Sequence, residues 1–375
     1  MCPDAPHNLS PDSTPISPDL AAAVRLLQSG ELVAFPTETV YGLGADAANP
    51  AAVAKIFAAK GRPAEHPLIV HLPDADYLEQ WTRDIPPSAR KLAEAFWPGP
   101  LTLILARAPA VPYAVTGGQE TVGVRVPSHP LALALLRAYA QEGGGRGGMC
   151  GVAAPSANRF GRISPTDAAH VREELGAAVA LVLDGGACDV GIESTIIDLT
   201  RHGLPPRLLR PGHITPEQIG EVIGEFPEVP DSMKPAKVPR VSGSLDGHYA
   251  PRTAMCQAAS GDLIQAIEET QAQGKRCGLL LHSLLTPPQT HSLRRLPDNP
   301  AGYARGLYAA LRELDQAGND IILVEAIPSG PDWAAVADRL RRAVHGAGGS
   351  GIRCQRGNQT GAENRPEETR SGRKW

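Results

Sequence analysis

Aromatic side chains are scarce here, 4% of 375 residues, against 39 glycines and 36 prolines. Such a chain must build its cores from aliphatic residues and spend much of its length in turns and irregular loops. The six cysteines, Cys2, Cys150, Cys188, Cys256, Cys277 and Cys354, never fall in a C-x-x-C pair. That spacing argues against a zinc site and a disulfide framework, and points to a reducing cytoplasm. No apolar run reaches the about eighteen residues a membrane helix needs, and residues 1–19 are polar and proline-rich, so neither a span nor a signal peptide is expected. Charge of one sign is also missing. A net charge of −4 neither demands nor excludes nucleic acid, because a local basic groove can hide in a balanced total. The glycine run Gly143–Gly148 follows a helical pattern rather than a strand and lacks the Lys-Ser pair of a phosphate loop, so it reads as a flexible insertion. No G-x-G-x-x-G follows a strand in the last third of the chain, which speaks against dinucleotide binding there.

What is present suffices for two cores: 42% apolar residues on a length that suggests two domains. Residues 1–15 read as disordered. From 16 to 226 the pattern alternates between strands and helices. A helix at Leu20–Leu27 stops at Gly30, and a buried strand follows at Leu32–Phe35. Asn49 and Pro50 cap and open a helix through Ala59, with Gly61 at its far end. Strands are predicted at Leu68–Leu72, Leu101–Ala106, Val122–Val126, Val152–Ala154, Ala180–Leu183 and Thr195–Leu199, and helices at Ala89–Phe96, Pro130–Gln141 and Thr166–Leu175. Alternation with unequal spacing predicts an α/β domain on a mixed sheet. Prolines spread through 227–252 mark an extended linker. A smaller α/β domain is expected over 253–345, with strands at Cys277–Leu281 and Ile321–Glu325. Its helical faces are Tyr303, Leu307, Leu311, Leu314 and Val336, Leu340, Val344. Residues 346–375 read as a disordered basic tail.

The chemistry-bearing residues sit at strand ends. Thr37 and Thr39 follow the first strand, Lys60 and Arg62 lie just past a helix end, and His71 closes the next strand. Neighbouring strands would gather them, although a solvated cation pair at a helix C-terminus is the ordinary use of Lys60 and Arg62. Arg125 stands among valines in Thr121-Val122-Gly123-Val124-Arg125-Val126 and needs an anionic partner, either an internal carboxylate or one on a ligand. Ala154-Pro155-Ser156-Ala157-Asn158 empties a strand into a loop of donors, where Ser156 and Asn158 suit a phosphate or ribose. Ser164 suits a helix cap near Pro165. Glu193 could orient donors, help hold magnesium or face solvent; Arg210 could reach a phosphate or a loop carboxylate.

Taken together, Pro36–Gly44, Lys60–Pro63, Pro67–His71, Trp97–Thr102, Thr121–Pro127, Ala154–Asn158 and Gly191–Thr195 resemble, in order, the L-threonylcarbamoyladenylate synthases of YrdC-like fold. The resemblance covers about residues 20–220 and its motifs are specific as a set. Val241–Pro251 is similar to the linker of the family's long form, and Leu311–Asp315 and Asp338–Leu340 to its C-terminal domain. The resemblance implies a YrdC-like twisted mixed sheet with a concave basic groove, plus a smaller Rossmann-like α/β C-terminal domain. It implies synthesis of L-threonylcarbamoyl-AMP from L-threonine, bicarbonate and ATP, with release of pyrophosphate and with Mg2+ accompanying ATP. A downstream tRNA threonylcarbamoyl transferase complex would use the product, in the cytoplasm, and contact with tRNA or double-stranded RNA is conceivable. By the same resemblance Arg125 grips the threonine carboxylate, with Thr39, His71, the Ala154 backbone and Ser194 around the amino acid. Lys60, Arg62, His66, Thr121, Ser156, Asn158, Ser164 and Arg210 serve the nucleotide, with Lys60 and Arg62 as the catalytic cations. His248 and Tyr249 close over the site from the linker. The rival reading is an RNA-binding or ribosome-assembly factor on the same fold, held by backbone contacts that weaken with salt.

Overall fold

The computed structural model describes residues 17–201, 203–229, 238–243, 245–284 and 286–348. The expectations for 1–15 and, beyond 348, for the tail lie outside the described residues. Ten strands form the first sheet: β1 (Val33–Phe35), β2 (Gly42–Asp46), β3 (Ile69–His71), β4 (Thr82–Arg83), β5 (Leu101–Arg107), β6 (Thr121–Arg125), β7 (Val152–Ala153), β8 (Leu181–Val182), β9 (Thr195–Asp198) and β10 (Arg207–Arg210). They run in the order β10-β9-β5-β6-β3-β7-β2-β1-β8, with β4 added to β5. The sheet is mixed, as the unequal spacing predicted: β3–β6, β5–β9 and β1–β8 are parallel and the other pairs antiparallel.

Register does the work of assembling a site. Parallel β3 and β6 pair His71 with Arg125, and β3 and β7 pair His71 with Val152. Residues that are far apart in sequence therefore meet in the middle of the sheet. Where the glycines predict a turn, the chain forms strand β2. Its glycines permit close packing instead: a Cβ on Gly44 would lie 2.8 Å from Phe35 Cε1 and 2.9 Å from Val152 Cγ1. Glycine is a turn signal only until a close neighbour is known.

Helix bounds follow the caps. Asn49 Oδ1 accepts from the N–H groups of Ala51 and Ala52, Pro50 opens Pro50–Lys60, and Gly61 ends it in the left-handed region at φ 61°. Helix Pro130–Gln141 packs with Pro18–Gln28 over one sheet face, burying Val24, Leu27, Leu135, Leu136 and Tyr139 against Phe35. A larger aliphatic core covers the other face, from Val53 and Ile56 to Leu103 and Val124. Ser164 does not cap the next helix. Asp167 does, accepting from His170 N–H at 2.9 Å, so the helix spans Ala168–Leu175.

The second sheet holds β11 (Ala254–Ala258), β12 (Cys277–Leu281), β13 (Ser292–Arg295) and β14 (Ile321–Glu325), all parallel, in the order β11-β14-β12-β13. Helices Ser260–Ala272, Pro300–Gln316 and Ala334–Gly346 accompany it, and the predicted faces Tyr303, Leu307, Leu311, Leu314 and Val336, Leu340 are buried. Cys150, Cys188 and Cys277 are free and buried. Cys256 is disulfide-bonded, a single pairing and not a framework, which sequence spacing cannot show because it says nothing about which Cα atoms approach.

The two sheets are joined by a shared core in which Val40, Ile163, Ile192 and Tyr249 pack with Tyr303, Leu307 and Val336. Gly191 marks a close approach. It sits at φ 80°, and a Cβ there would lie 2.5 Å from Arg305 Cα. Around this core run ion pairs between the two halves, Arg162–Asp315 at 3.1 Å and Arg312–Glu174 at 3.0 Å. The linker is not a free tether where it is described: Val241, His248, Tyr249 and Ala250 are buried.

Candidate active site

A cavity lies where His71 of β3 and Arg125 of β6 meet the segments that follow β1 and β7. Thr37, Thr39, His71, Arg125, Ala154, Ser156, Glu193, Ser194, Arg210, Ser242, His248 and Tyr249 line it. The turn after β1 folds on its own hydroxyls: Thr37 Oγ1 accepts from the N–H groups of Thr39 and Val40 at 3.2 Å and lies 2.8 Å from Thr39 Oγ1. This leaves Thr39 facing Arg125, whose Nη1 donates to Thr39 Oγ1 at 3.0 Å.

Arg125 is 4% exposed and needs its anion. Glu38 supplies it, with Oε1 2.6 Å from Arg125 Nη2, while Nε donates to Gly99 C=O at 3.1 Å. Glu38 is in turn oriented by Ser128 N–H, which donates to Oε2 at 3.0 Å. The internal salt bridge therefore exists, yet it does not use up the guanidinium. Five N–H donors meet three partners, and one donor on each Nη is left for a ligand carboxylate. His71 stands beside it, fully buried. Burial and then the Arg125 charge push its pKa down to about 3, so the ring is neutral. Ser194 Oγ lies 2.8 Å from Thr102 Oγ1 and accepts from Arg210 Nη2 at 3.1 Å. The Ala154 N–H is already given to Ile69 C=O, so its carbonyl is what the backbone offers there.

The other predicted residues surround the cavity without lining it. Lys60 Nζ is buried and donates to Ser156 C=O at 2.6 Å and Asn158 C=O at 2.5 Å, which fixes the loop after β7. Burial, then the neighbouring Arg62, push its pKa well below the usual lysine value. Arg62 donates to Pro67 C=O at 2.8 Å and to Ser242 Oγ at 3.4 Å, and burial lowers it to about 10. Asn158 Nδ2 donates to the carbonyls of Arg159 and Arg162. Thr121 lines a small neighbouring recess with Arg240 and Ser242. His66 packs edge-on to Phe160 with centroids 5.3 Å apart.

The partners of two carboxylates at or beside the cavity are not legible in the sequence. Glu38 lies in the Pro36–Gly44 motif, but nothing local pairs it with Arg125. Glu193, open to three roles by sequence, proves to be a buried partner of groups on both domains. It receives Ser164 Oγ–H at 2.5 Å and Arg339 Nε–H at 2.8 Å, and it lines the cavity. Burial alone would raise its carboxyl, but Arg339 and then Arg210 outweigh that and hold it at about 2.

The linker supplies the roof. His248 and Tyr249 pack against each other with centroids 4.1 Å apart, and Phe160 meets His248 at 6.1 Å. Tyr249 sits at φ 61°, a left-handed conformation that costs a bulky residue roughly 1–3 kcal/mol and is held only by its surroundings. Beneath this roof the cavity is about 30 Å³, whereas ligand pockets run to ~300–1,000 Å³. As it stands the cavity has no room for a drug-sized ligand. Three lining side chains each bury a polar atom without a hydrogen-bond partner among the described residues: His71 Nδ1, His248 Nδ1 and the Tyr249 hydroxyl. Such atoms are rare in folded proteins and their convergence on one cavity marks a place for a polar ligand.

Two family models match the chain. The one described as telomere recombination matches residues 25–212, and the one described as threonylcarbamoyl-AMP synthase, C-terminal domain, matches 214–344. The threonylcarbamoyl-AMP synthase of Pyrococcus abyssi is 41% identical over 86% of this chain and 92% of its own length. That of Bacillus subtilis is 42% identical over 88% and 94%. Among solved structures, P. abyssi Sua5 complexed with L-threonine is similar with a TM-score of 0.79 at 38% identity, over 88% of this chain and 94% of that one. No helix among the described residues is long and apolar enough to cross a membrane. The chain belongs to the threonylcarbamoyl-AMP synthases, enzymes that make the intermediate for threonylcarbamoyladenosine in tRNA.

Proposed function

We propose that this cavity joins L-threonine, bicarbonate and ATP into L-threonylcarbamoyl-AMP and releases pyrophosphate. The observation that carries the reading is a buried arginine with donors to spare, Arg125, facing one cavity on which three buried polar atoms without a hydrogen-bond partner among the described residues also converge, His71 Nδ1, His248 Nδ1 and the Tyr249 hydroxyl. Two N–H groups of Arg125 remain for the threonine carboxylate, in the family whose P. abyssi member has been solved with L-threonine. Thr39, Ser194 and the Ala154 carbonyl would bracket the rest of the amino acid, and neutral His71 would accept or donate without adding charge. Threonine's amine takes up bicarbonate as a carbamate with loss of water. A carbamate oxygen then attacks the α-phosphate and pyrophosphate leaves. Arg62, Arg210 and Ser156, with Thr121, His66, Asn158 and Ser164 behind them, would face the phosphates and nucleoside. Lys60 would act through the loop it ties. A low-dielectric cavity strengthens such preorganised donors as charge builds on phosphate. The roof of His248 and Tyr249 would exclude water from a carbamate that hydrolyses readily.

Magnesium would enter with ATP. The two carboxylates at the site are taken, Glu38 by Arg125 and Glu193 by Arg339, and among the described residues no group of three or more His, Cys, Asp or Glu could hold a metal. The residues do not fit a protein-held ion. The product would pass to a downstream tRNA threonylcarbamoyl transferase complex in the cytoplasm. A pure RNA-binding role leaves the buried arginine at the end of β6 and its spare donors unexplained.

Pyrophosphate release from ATP is expected to require threonine and bicarbonate together. Release without either, or none with all three, would overturn the proposal. Limited proteolysis in 238–252 is expected to slow several-fold when ATP and threonine are both present. Equal cleavage with and without them would show that the roof does not respond to ligand.

A further inference from the structure

Tyr308, on helix Pro300–Gln316, and Arg339, on helix Ala334–Gly346, reach the cavity wall from the second domain. Both are fully buried. Tyr308 donates its hydroxyl to Glu193 Oε2 at 3.0 Å, and Arg339 Nε donates to the same oxygen at 2.8 Å. Arg339 Nη2 adds a bond to the Glu193 carbonyl at 3.3 Å. The same two side chains lie under the roof. The Tyr308 ring stacks on Tyr249, centroids 5.7 Å apart and planes at 30°, and Arg339 Cζ stands 5.3 Å from the Tyr249 centroid. Asp338 holds Arg339 Nη1 at 2.8 Å, and His248 N–H reaches the Arg342 carbonyl one turn on.

Among the described residues this arrangement is not the only contact between the two domains. They already share an apolar core and the ion pairs Arg162–Asp315 and Arg312–Glu174. A buried ion pair adds little to stability that a well-packed apolar pair would not. What the charged arrangement supplies is direction: it aims Glu193, next in chain to Ser194, and gives a strained Tyr249 a surface to close on.

We propose that Tyr308 and Arg339 are positioning residues of the active site, so that the second domain is both the seat on which Tyr249 closes and the brace that keeps Glu193 in the cavity wall. This rests on the synthase reaction proposed above. A seat acts through the residue it seats. Tyr308 should therefore lose its influence on catalysis once the Tyr249 ring is gone.

The test is a double-mutant cycle in the full chain, reading kcat/KM for ATP in threonine- and bicarbonate-dependent pyrophosphate release. Tyr249→Ala and Tyr308→Ala are each expected to lower it about tenfold or more, and the double variant to fall within about twofold of the worse single one. Losses that multiply would overturn the inference while leaving the reaction intact. A parent chain that releases no pyrophosphate would overturn both. Should Tyr308→Ala fail to fold, Tyr308→Phe against Glu193→Gln reads the brace instead, because the phenylalanine keeps the ring and removes only the bond to Glu193. Coupled losses support the brace, and multiplied losses overturn it. A role confined to stability would move the melting temperature and leave every kcat/KM of a folded variant near the parent's, which would also overturn the inference.

Discussion

Arg125→Lys is expected to raise the threonine requirement at least about tenfold while the ATP requirement moves much less, because an ammonium cannot present two parallel N–H groups to a carboxylate. The lysine keeps a positive charge against Glu38, which now stands 2.6 Å from the guanidinium, so the variant should fold. Arg125→Met separates the two duties of the residue. It strands Glu38, 6% exposed, without a cation, and breaking one side of a buried pair costs about 3–5 kcal/mol. Adding Glu38→Met should restore most of that stability, read by urea unfolding, and restore none of the activity. Threonine and ATP requirements that rise together in Arg125→Lys would show that Arg125 serves the general architecture and not the amino acid. Full recovery of turnover in the Arg125→Met/Glu38→Met chain would remove it from the site altogether.

Strand alternation is why Arg125 is legible in the sequence. An arginine among valines at period two must face something polar, and the register of β3 with β6 then sets it beside His71. The identity of its internal partner is not legible. Glu38 lies 87 positions away in a different motif, and only the fold brings the two together. The same limit applies more strongly to the second domain. Tyr308 follows Leu307, and Arg339 precedes Leu340, on faces that read correctly as apolar and buried. Nothing in a helical period says that one arginine of Ala334–Gly346 is buried and meets a carboxylate 146 positions earlier. Local chemistry misleads in two places. Glycines at 42 and 44 read as a turn because their packing partners include Val152 and Ala154, distant in sequence. Ser164 reads as a cap because serine caps helices often; the buried Glu193 competes better for its hydroxyl. Edge strand β13 escapes for a third reason: Leu293, Arg294 and Arg295 are exposed, and an exposed strand carries no alternation to detect.

The unliganded protein is expected to lose stability steeply as pH falls from about 6.5 toward 5, because two neutral histidines are buried in the cavity wall. Burial, then Arg125, holds His71 at about 3. Burial also dominates at His248, where Lys60, Arg62 and Arg210 outweigh the opposing pull of Glu193 and the pKa again falls to about 3. The folded values lie below the unfolded value near 6.5, so between the two the unfolded chain binds more protons and acid favours it. The contribution is complete above about 6.5 and is withdrawn as pH falls toward about 3. Each histidine supplies at most about 1.4 kcal/mol per pH unit in that window. Glu193 acts elsewhere. Its carboxyl, held at about 2, gives stability that is present above the unfolded carboxylate value and is lost only below it, so it does not contribute to the slope between about 6.5 and 5. At about 1.3 °C per kcal/mol, from an unfolding entropy of about 2.1 cal/mol/K per residue on this chain length, the melting temperature should drop by roughly 5 °C between about pH 7 and 5. His71→Gln and His248→Gln should each remove about half of that slope. A melting temperature that is flat across the interval, or a double variant that falls as steeply as the parent, would mean that the rings are solvated or charged in the folded protein. In that case the roof over the cavity would already be open in solution.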